Sequence, residues 1–180
     1  LKSLAAEPAR VHLSYHGLDL SRFARFDDRV QVRDGSSSGS PIRFVSVGRA
    51  VIKKGYDTLL DALAMLPKDI HWSFDHAGGG ELLQNLKQQA DRLEISDRIR
   101  WHGAMAQDDV LKLYRQCDVF VLPCRIAPDG DRDGLPNVLV EAASQGLACI
   151  STNVSGVPEL IDDGRHGVLV EPNEPEALAT

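Results

Sequence analysis

From residue 42 onward the chain alternates between two hydrophobic periods. IRFVSVG (42–48) is an apolar, β-rich run ending in glycine, which predicts a strand. TLLDALAMLP (58–67) sets Leu59, Leu60, Leu63 and Leu66 at helical spacing and is stopped by Pro67. The alternation continues with HWSFDHAG (71–78) as strand, ELLQNLKQQADRL (81–93) as amphipathic helix and RIRWHG (98–103) as strand. DDVLKLYRQC (108–117) then reads as a short helix and DVFVLP (118–123) as a strand. NVLVEAASQG (137–146) predicts a helix with Gly146 at its C-terminal end. LACIST (147–152) and GVLVEP (167–172) complete six strands. Strands alternating with helices predict parallel βαβ units, hence an α/β, Rossmann-like doubly wound parallel sheet. In such sheets ligands sit beyond the carboxyl ends of the strands. Glycine-bearing turns stand at those ends: Gly48, Gly78 to Gly80, Gly103 and the long loop after Pro123.

Upstream, Val11–Tyr15 is strand-like and His16-Gly17 reads as a turn. DGSSSGSP (34–41) is the low-complexity stretch, predicted to be a flexible surface loop. Residues 1–40 therefore read as a junction and loop, and 41–180 as a domain. The chain starts at Leu1 and stops at NEPEALAT as a helix opens after Pro175. The expectation is a piece of a longer polypeptide, truncated within this domain.

Composition narrows the class. A chain of 180 residues with 43% hydrophobic and 26% charged residues suits one soluble domain with a real core. A formal net charge of −6 argues against bulk attraction to nucleic acid or anionic membrane. Cys117, Cys124 and Cys149 form no CxxC spacing, which argues against a zinc site or disulfide framework and fits a reducing cytoplasm. No apolar run is long enough to span a bilayer, and no signal peptide is visible at Leu1. No histidine pair has helical metal spacing. Trp72 and Trp101 read as core, although residues 101–104 end a strand where a nucleobase could meet backbone.

Five stretches carry chemistry. In GRAVIKKG (48–55), Gly48 allows a sharp turn, so that Arg49 and Lys54 can lean over one strand end. A guanidinium and an ammonium there suit a diphosphate; the plain alternative is a solvated basic turn. GGG at 78–80 permits close backbone approach to a ligand, but Leu82 and Leu83 break any GxGxxG pattern. DGDRDG (129–134) imitates the start of a calcium loop, yet Val140 stands where the closing Glu belongs. A mobile acidic loop is the reading for Asp129 and Asp131. Finally, DGLPNVLVEAASQG puts Pro136 at a helix start, where free N–H groups and the dipole make an anion site. Val138, Leu139, Ala142 and Ala143 are expected to pack that helix on the sheet, with Glu141 among them. A buried carboxylate needs a partner, either two neighbouring ribose hydroxyls or a framework Arg or Lys. STNVSGVPELI (151–161) starts another short helix that could line the same cleft.

Together these stretches resemble the C-terminal domain of retaining GT-B glycosyltransferases of family 4, also called glycosyl transferases group 1. HGLDLSRF (16–23), VGRAVIKKG, AGGGELL, DVFVLP, Asp133-x7-Glu141, GVPELI and HGVLV follow the family's order and spacing. The resemblance implies a nucleoside-diphosphate-sugar donor whose diphosphate is held by Arg49 and Lys54. It implies that Glu141 holds the ribose hydroxyls and that Asp133 contacts the donor sugar. Backbone near Gly48, Gly78, Gly103, Gly134, Leu135, Pro136, Asn137 and Val138 would complete the donor site. No metal or other cofactor is implied. The acceptor, a glycan, lipid-linked or other hydroxyl compound, would lie mainly on an N-terminal domain absent from this chain. That other half is also where any peripheral membrane contact would be. The isolated chain is expected to be inactive in transfer. Two departures stand out: Asp133 replaces the usual Glu and is one methylene shorter, and Cys124 replaces a usual Ser, from which little is expected. The other readings are a nucleotide-sugar epimerase of the same fold and a non-catalytic nucleotide-binding module.

Overall fold

The computed structural model describes His12, residues 17–19, Phe23 and residues 33–180. The strand expected at Val11–Tyr15 and most of the 16–23 segment lie outside the described residues. Six strands, β1 (Ile42–Val47), β2 (Trp72–Ala77), β3 (Ile99–Gly103), β4 (Val119–Leu122), β5 (Ala148–Thr152) and β6 (Gly167–Val170), form one sheet in the order β3-β2-β1-β4-β5-β6. Every neighbouring pair is parallel. This is the doubly wound arrangement that the alternating pattern predicts. The strand order reverses between β1 and β4, and that crevice is where such sheets bind ligands.

The helices are α1 (Tyr56–Met65), α2 (Leu83–Arg92), α3 (Gln107–Gln116), α4 (Asn137–Ser144) and the short α5 (Pro175–Leu178). Right-handed crossovers put α1 and α2 on one face and α3 and α4 on the other. Helix α1 packs through Leu59, Leu60 and Leu63, all nearly water-free, as their spacing predicts. It begins two residues earlier than its leucine pattern suggests, because Gly55 takes φ +64 and turns the chain into the helix. Helix α4 ends before Gly146, whose φ of +73 suits the left-handed position past a helix end.

The core joins both layers through Val45, Phe74, Tyr114, Phe120, Leu122 and Leu139. Trp72 is buried, with the Arg98 guanidinium 5.2 Å above its ring. Trp101 packs against the same cluster. The segment 34–41 is tied down at its start. Gly35 is buried, and its carbonyl accepts the His71 N–H at 2.7 Å.

Candidate functional site

The turn after β1 is built around Gly48. A Cβ there would stand 2.9 Å from the Tyr56 hydroxyl and 3.4 Å from Lys54 Cε. With φ at +153, the position is also open only to glycine at low strain. A 3-10 turn, Ile52–Lys54, carries Lys54 back over Gly48. Beneath it the Tyr56 hydroxyl meets Ser46 Oγ at 3.4 Å, and burial pushes the phenol's pKa up. Gly55 closes the turn against β4, where a Cβ would come 2.0 Å from the Pro123 carbonyl.

The loop leaving β4 is stitched to this turn. The Arg125 N–H donates to the Lys53 carbonyl at 2.9 Å. Its guanidinium donates to the Ile52 carbonyl and pairs with Asp57, both at 2.9 Å. Lys54 Nζ stands 2.7 Å from Asp133 Oδ2, and Lys53 Nζ stands 3.4 Å from Asp133 Oδ1 and 3.0 Å from Asp131. Burial would raise the Asp133 pKa, but hydrogen bonding and charge from Lys54 and Lys53 outweigh it and hold the carboxyl below its ordinary value. Lys53 is pushed up, chiefly by its hydrogen bond to Asp131. The acidic stretch is exposed, as its composition predicts, but it is not without contacts. Asp131 is ion-paired, and Asp129 accepts its N–H at 3.0 Å. Nor is Cys124 indifferent. Its thiol lies 3.9 Å from Asp133 Oδ2, and burial pushes its pKa up to about 12.

Helix α4 starts immediately downstream. Pro136 precedes its first residue, Asn137, rather than lying inside the first turn, and no side chain caps that turn. The amides of Asn137 and Val138 have no backbone acceptor among the described residues, so they are open to an anion. The Gly134 carbonyl accepts the Gly156 N–H at 2.9 Å, which seats the 3-10 turn Val157–Glu159 against Gly134 and Leu135. Leu139 and Ala142 are fully buried on the sheet, Val138 is half-buried and Ala143 is exposed. The expectation that Ala143 packs inward fails, because its place on the helix circumference points away from the sheet. Glu141 is likewise half-buried rather than buried. It lines a cavity of about 290 Å³ with Leu18, Phe23, Gln107, Asn137 and Val140.

Arg49 is exposed and lines a second cavity, of about 240 Å³, with Lys53, Glu81, Asp129 and Asp131. Arg49 and Lys54 stem from one turn, and its 3-10 segment carries Lys54 back over Gly48. The glycines of the second turn also differ from expectation. A Cβ on Gly78 would come 1.9 Å from the Gly48 carbonyl, and one on Gly80 2.5 Å from the Ala50 carbonyl. The close approach shown at these two positions is that of the protein's own backbone, whereas a Cβ on Gly79 would meet nothing within 4 Å. Gly103 ends β3 with φ +68, its carbonyl accepting the Gly78 N–H at 2.7 Å. Lys53, Arg125 and Tyr56 are the residues that sequence reasoning passed over. The Lys53-Lys54 doublet facing alternate acids at 129, 131 and 133 was the available signal for the first. Among the described residues no group of three or more His, Cys, Asp or Glu side chains could hold a metal ion. No helix among them is long and apolar enough to cross a membrane.

Comparison with known proteins finds relatives by sequence and by fold. The family described as Glycosyl transferases group 1 matches residues 28–180. The Salmonella typhimurium protein WcaL, named among colanic acid biosynthesis glycosyltransferases, is 31% identical over 99% of this chain and 43% of its own length. The amylovoran biosynthesis glycosyltransferase AmsK of Erwinia amylovora is 29% identical over 99% of this chain and 42% of its own. The chain thus spans less than half the length of these relatives. Among solved structures, Anabaena HepE in complex with UDP-glucose superposes with a TM-score of 0.69 at 28% identity, covering 79% of this chain and 38% of that one. The C-terminal domain of a Francisella tularensis group 1 glycosyl transferase shares the fold, with a TM-score of 0.71 at 21% identity over 91% of this chain and 84% of that one.

Proposed function

The chain belongs to the glycosyl transferases group 1 family, and on that premise we propose that it is the donor-binding domain of a retaining GT-B glycosyltransferase of family 4. The observation that carries this reading is the meeting of Gly48, Lys54, Asp133 and the uncapped start of α4 at the β1/β4 crevice. A nucleoside diphosphate would lie with its phosphates between the Lys54 ammonium and the amides of Asn137 and Val138. The cavity beside Glu141 would take the nucleoside. Its carboxylate can accept from two neighbouring ribose hydroxyls at once. Arg49, on the flank of the same turn, would swing toward the phosphates when they bind.

In the transfer itself the bond between the sugar's anomeric carbon and the diphosphate breaks. Its electron pair goes to the diphosphate, and an acceptor hydroxyl oxygen bonds to the carbon with retained configuration as its proton passes to an oxygen of the departing diphosphate. Lys54, Arg49 and the helix amides stabilise the charge that grows on the leaving group. Asp133 and the backbone from Gly134 to Val138 hold the sugar in line. These groups supply the positive charge without a metal. The acceptor, a glycan or another hydroxyl compound, would be held mainly by a preceding domain. The reading also implies a cytoplasmic protein, since nucleotide sugars are made there.

Calorimetric titration of the 180-residue chain with UDP, GDP and ADP tests this reading. One nucleotide is expected to saturate a single site, and Glu141→Ala is expected to weaken it at least tenfold. Binding of none of the three, or binding indifferent to Glu141, would count against the donor site.

A further inference from the structure

The resemblance assigns Lys53 no role, yet its ammonium sits between two acids, Asp131 and Asp133. Asp133 is bracketed, with Oδ2 2.7 Å from Lys54 and Oδ1 3.4 Å from Lys53. The three side chains are only 12–20% exposed, so their charges are less screened than on an open surface. Lys53 is also anchored through its backbone, because its carbonyl accepts the Arg125 N–H at 2.9 Å. Its second partner, Asp131 at 3.0 Å, belongs to the same loop as Asp133. A lysine held this way is not part of a solvated basic turn.

We infer that Lys53 is a positioning residue of the donor site. It keeps Asp133 in place and charge-balanced when a bound diphosphate draws Lys54 away. This inference rests on the donor-site reading. With Lys53 absent, Asp133 would have Lys54 as its one cation among the described residues. The diphosphate would then compete with a carboxylate for that ammonium and would lie beside an uncompensated negative charge. With Lys53 present, one carboxylate oxygen keeps its partner throughout. The short side chain of Asp133 suits this role, since it holds the carboxylate back against both lysines.

The test has a ligand-free arm and a ligand arm. Carbon-13 NMR titration of the Asp133 carboxyl compares the unsubstituted chain with Lys53→Met and Lys53→Arg. The expected result is an upward pKa shift in Lys53→Met and recovery in Lys53→Arg. Calorimetry then compares UDP, GDP and ADP with the parent nucleosides. Lys53→Met is expected to weaken the diphosphate by about fivefold, as for a partly buried charge pair, and to leave the nucleoside unchanged. In an Asp133→Asn background the same substitution should change diphosphate affinity by about twofold or less. Equal losses for nucleoside and diphosphate, or an undiminished loss in the Asp133→Asn background, would reduce Lys53 to a structural strap and overturn the inference. Diphosphate binding with no carboxyl shift would overturn it alone. A carboxyl shift with no diphosphate binding in the unsubstituted chain would overturn the donor reading, and the hand-over with it.

Discussion

Two glycine turns sit side by side at the carboxyl edge of the sheet, one after β1 and one after β2. In sequence they look alike, and both invite a ligand. In the fold they divide the work. The Gly78–Gly80 turn is pressed into the backbone of its neighbour, with the Gly48 N–H donating to Ala77 at 2.9 Å and the Ala50 N–H to Gly79 at 2.7 Å. The Gly48–Gly55 turn, so buttressed, faces the crevice and carries Lys53 and Lys54. A glycine-rich turn thus signals close approach, but the partner that approaches can be the protein itself.

The sharpest way to break this comparison is to add one methyl group at each of two adjacent glycines of the buttressing turn. Gly78→Ala drives a Cβ to 1.9 Å from a carbonyl oxygen, at φ +150, and should destabilise the chain by about 3 kcal/mol or more. Gly79→Ala meets nothing within 4 Å and should stay within about 0.5 kcal/mol. Urea denaturation of the two variants reads the difference directly.

Next in size is an acid effect beneath the turns. His76 is fully buried, in edge contact with Tyr56 at 4.7 Å, with the backbone of Gly48 as a polar neighbour that only partly offsets the burial. Burial lowers its pKa from 6.5 to about 4. The unfolded imidazole takes up a proton well before the folded one, so stability present above pH 6.5 is lost as the pH falls toward 4. The full loss is about 3 kcal/mol. His76→Leu should remove this slope, as read from urea midpoints between pH 7 and pH 4.

On the crevice side, Lys54→Ala should weaken nucleoside diphosphate binding by about ten- to a hundredfold, a charge-assisted contact's worth. Its effect on folding should be under about 1 kcal/mol, because Lys53 still faces Asp133. Calorimetry and denaturation on the same variant separate the two quantities. The smallest expected effect is that of metal removal. Excess EDTA should leave diphosphate affinity within about twofold, since basic side chains and helix amides carry the phosphates.

Much of this was legible from local pattern. The leucine spacing of α1, the strand–helix alternation and Gly146 past α4 each report a backbone requirement that sequence states directly. Lys54 and Asp133 were marked by residue type, and they meet. What sequence did not convey are relations across the chain. The Cβ clash of Gly78 is with Gly48, thirty residues away, and Arg125 closes onto Ile52 and Asp57 from a different loop. The ion pair of Asp131 was not legible because its partner, Lys53, lies far upstream. Glu141 was misjudged as buried because helical spacing gives its side of the helix but not the cavity that side overlooks.

The central claim is that the β1/β4 crevice, with α4, is the nucleotide site. Proton–nitrogen NMR of the chain during titration with the nucleoside diphosphate that binds tests it most directly. The account predicts amide shifts concentrated at Gly48, Arg49, Lys54, Asn137, Val138 and Glu141, with little change along β6. Shifts gathered elsewhere, or spread evenly with those amides unmoved, would contradict it.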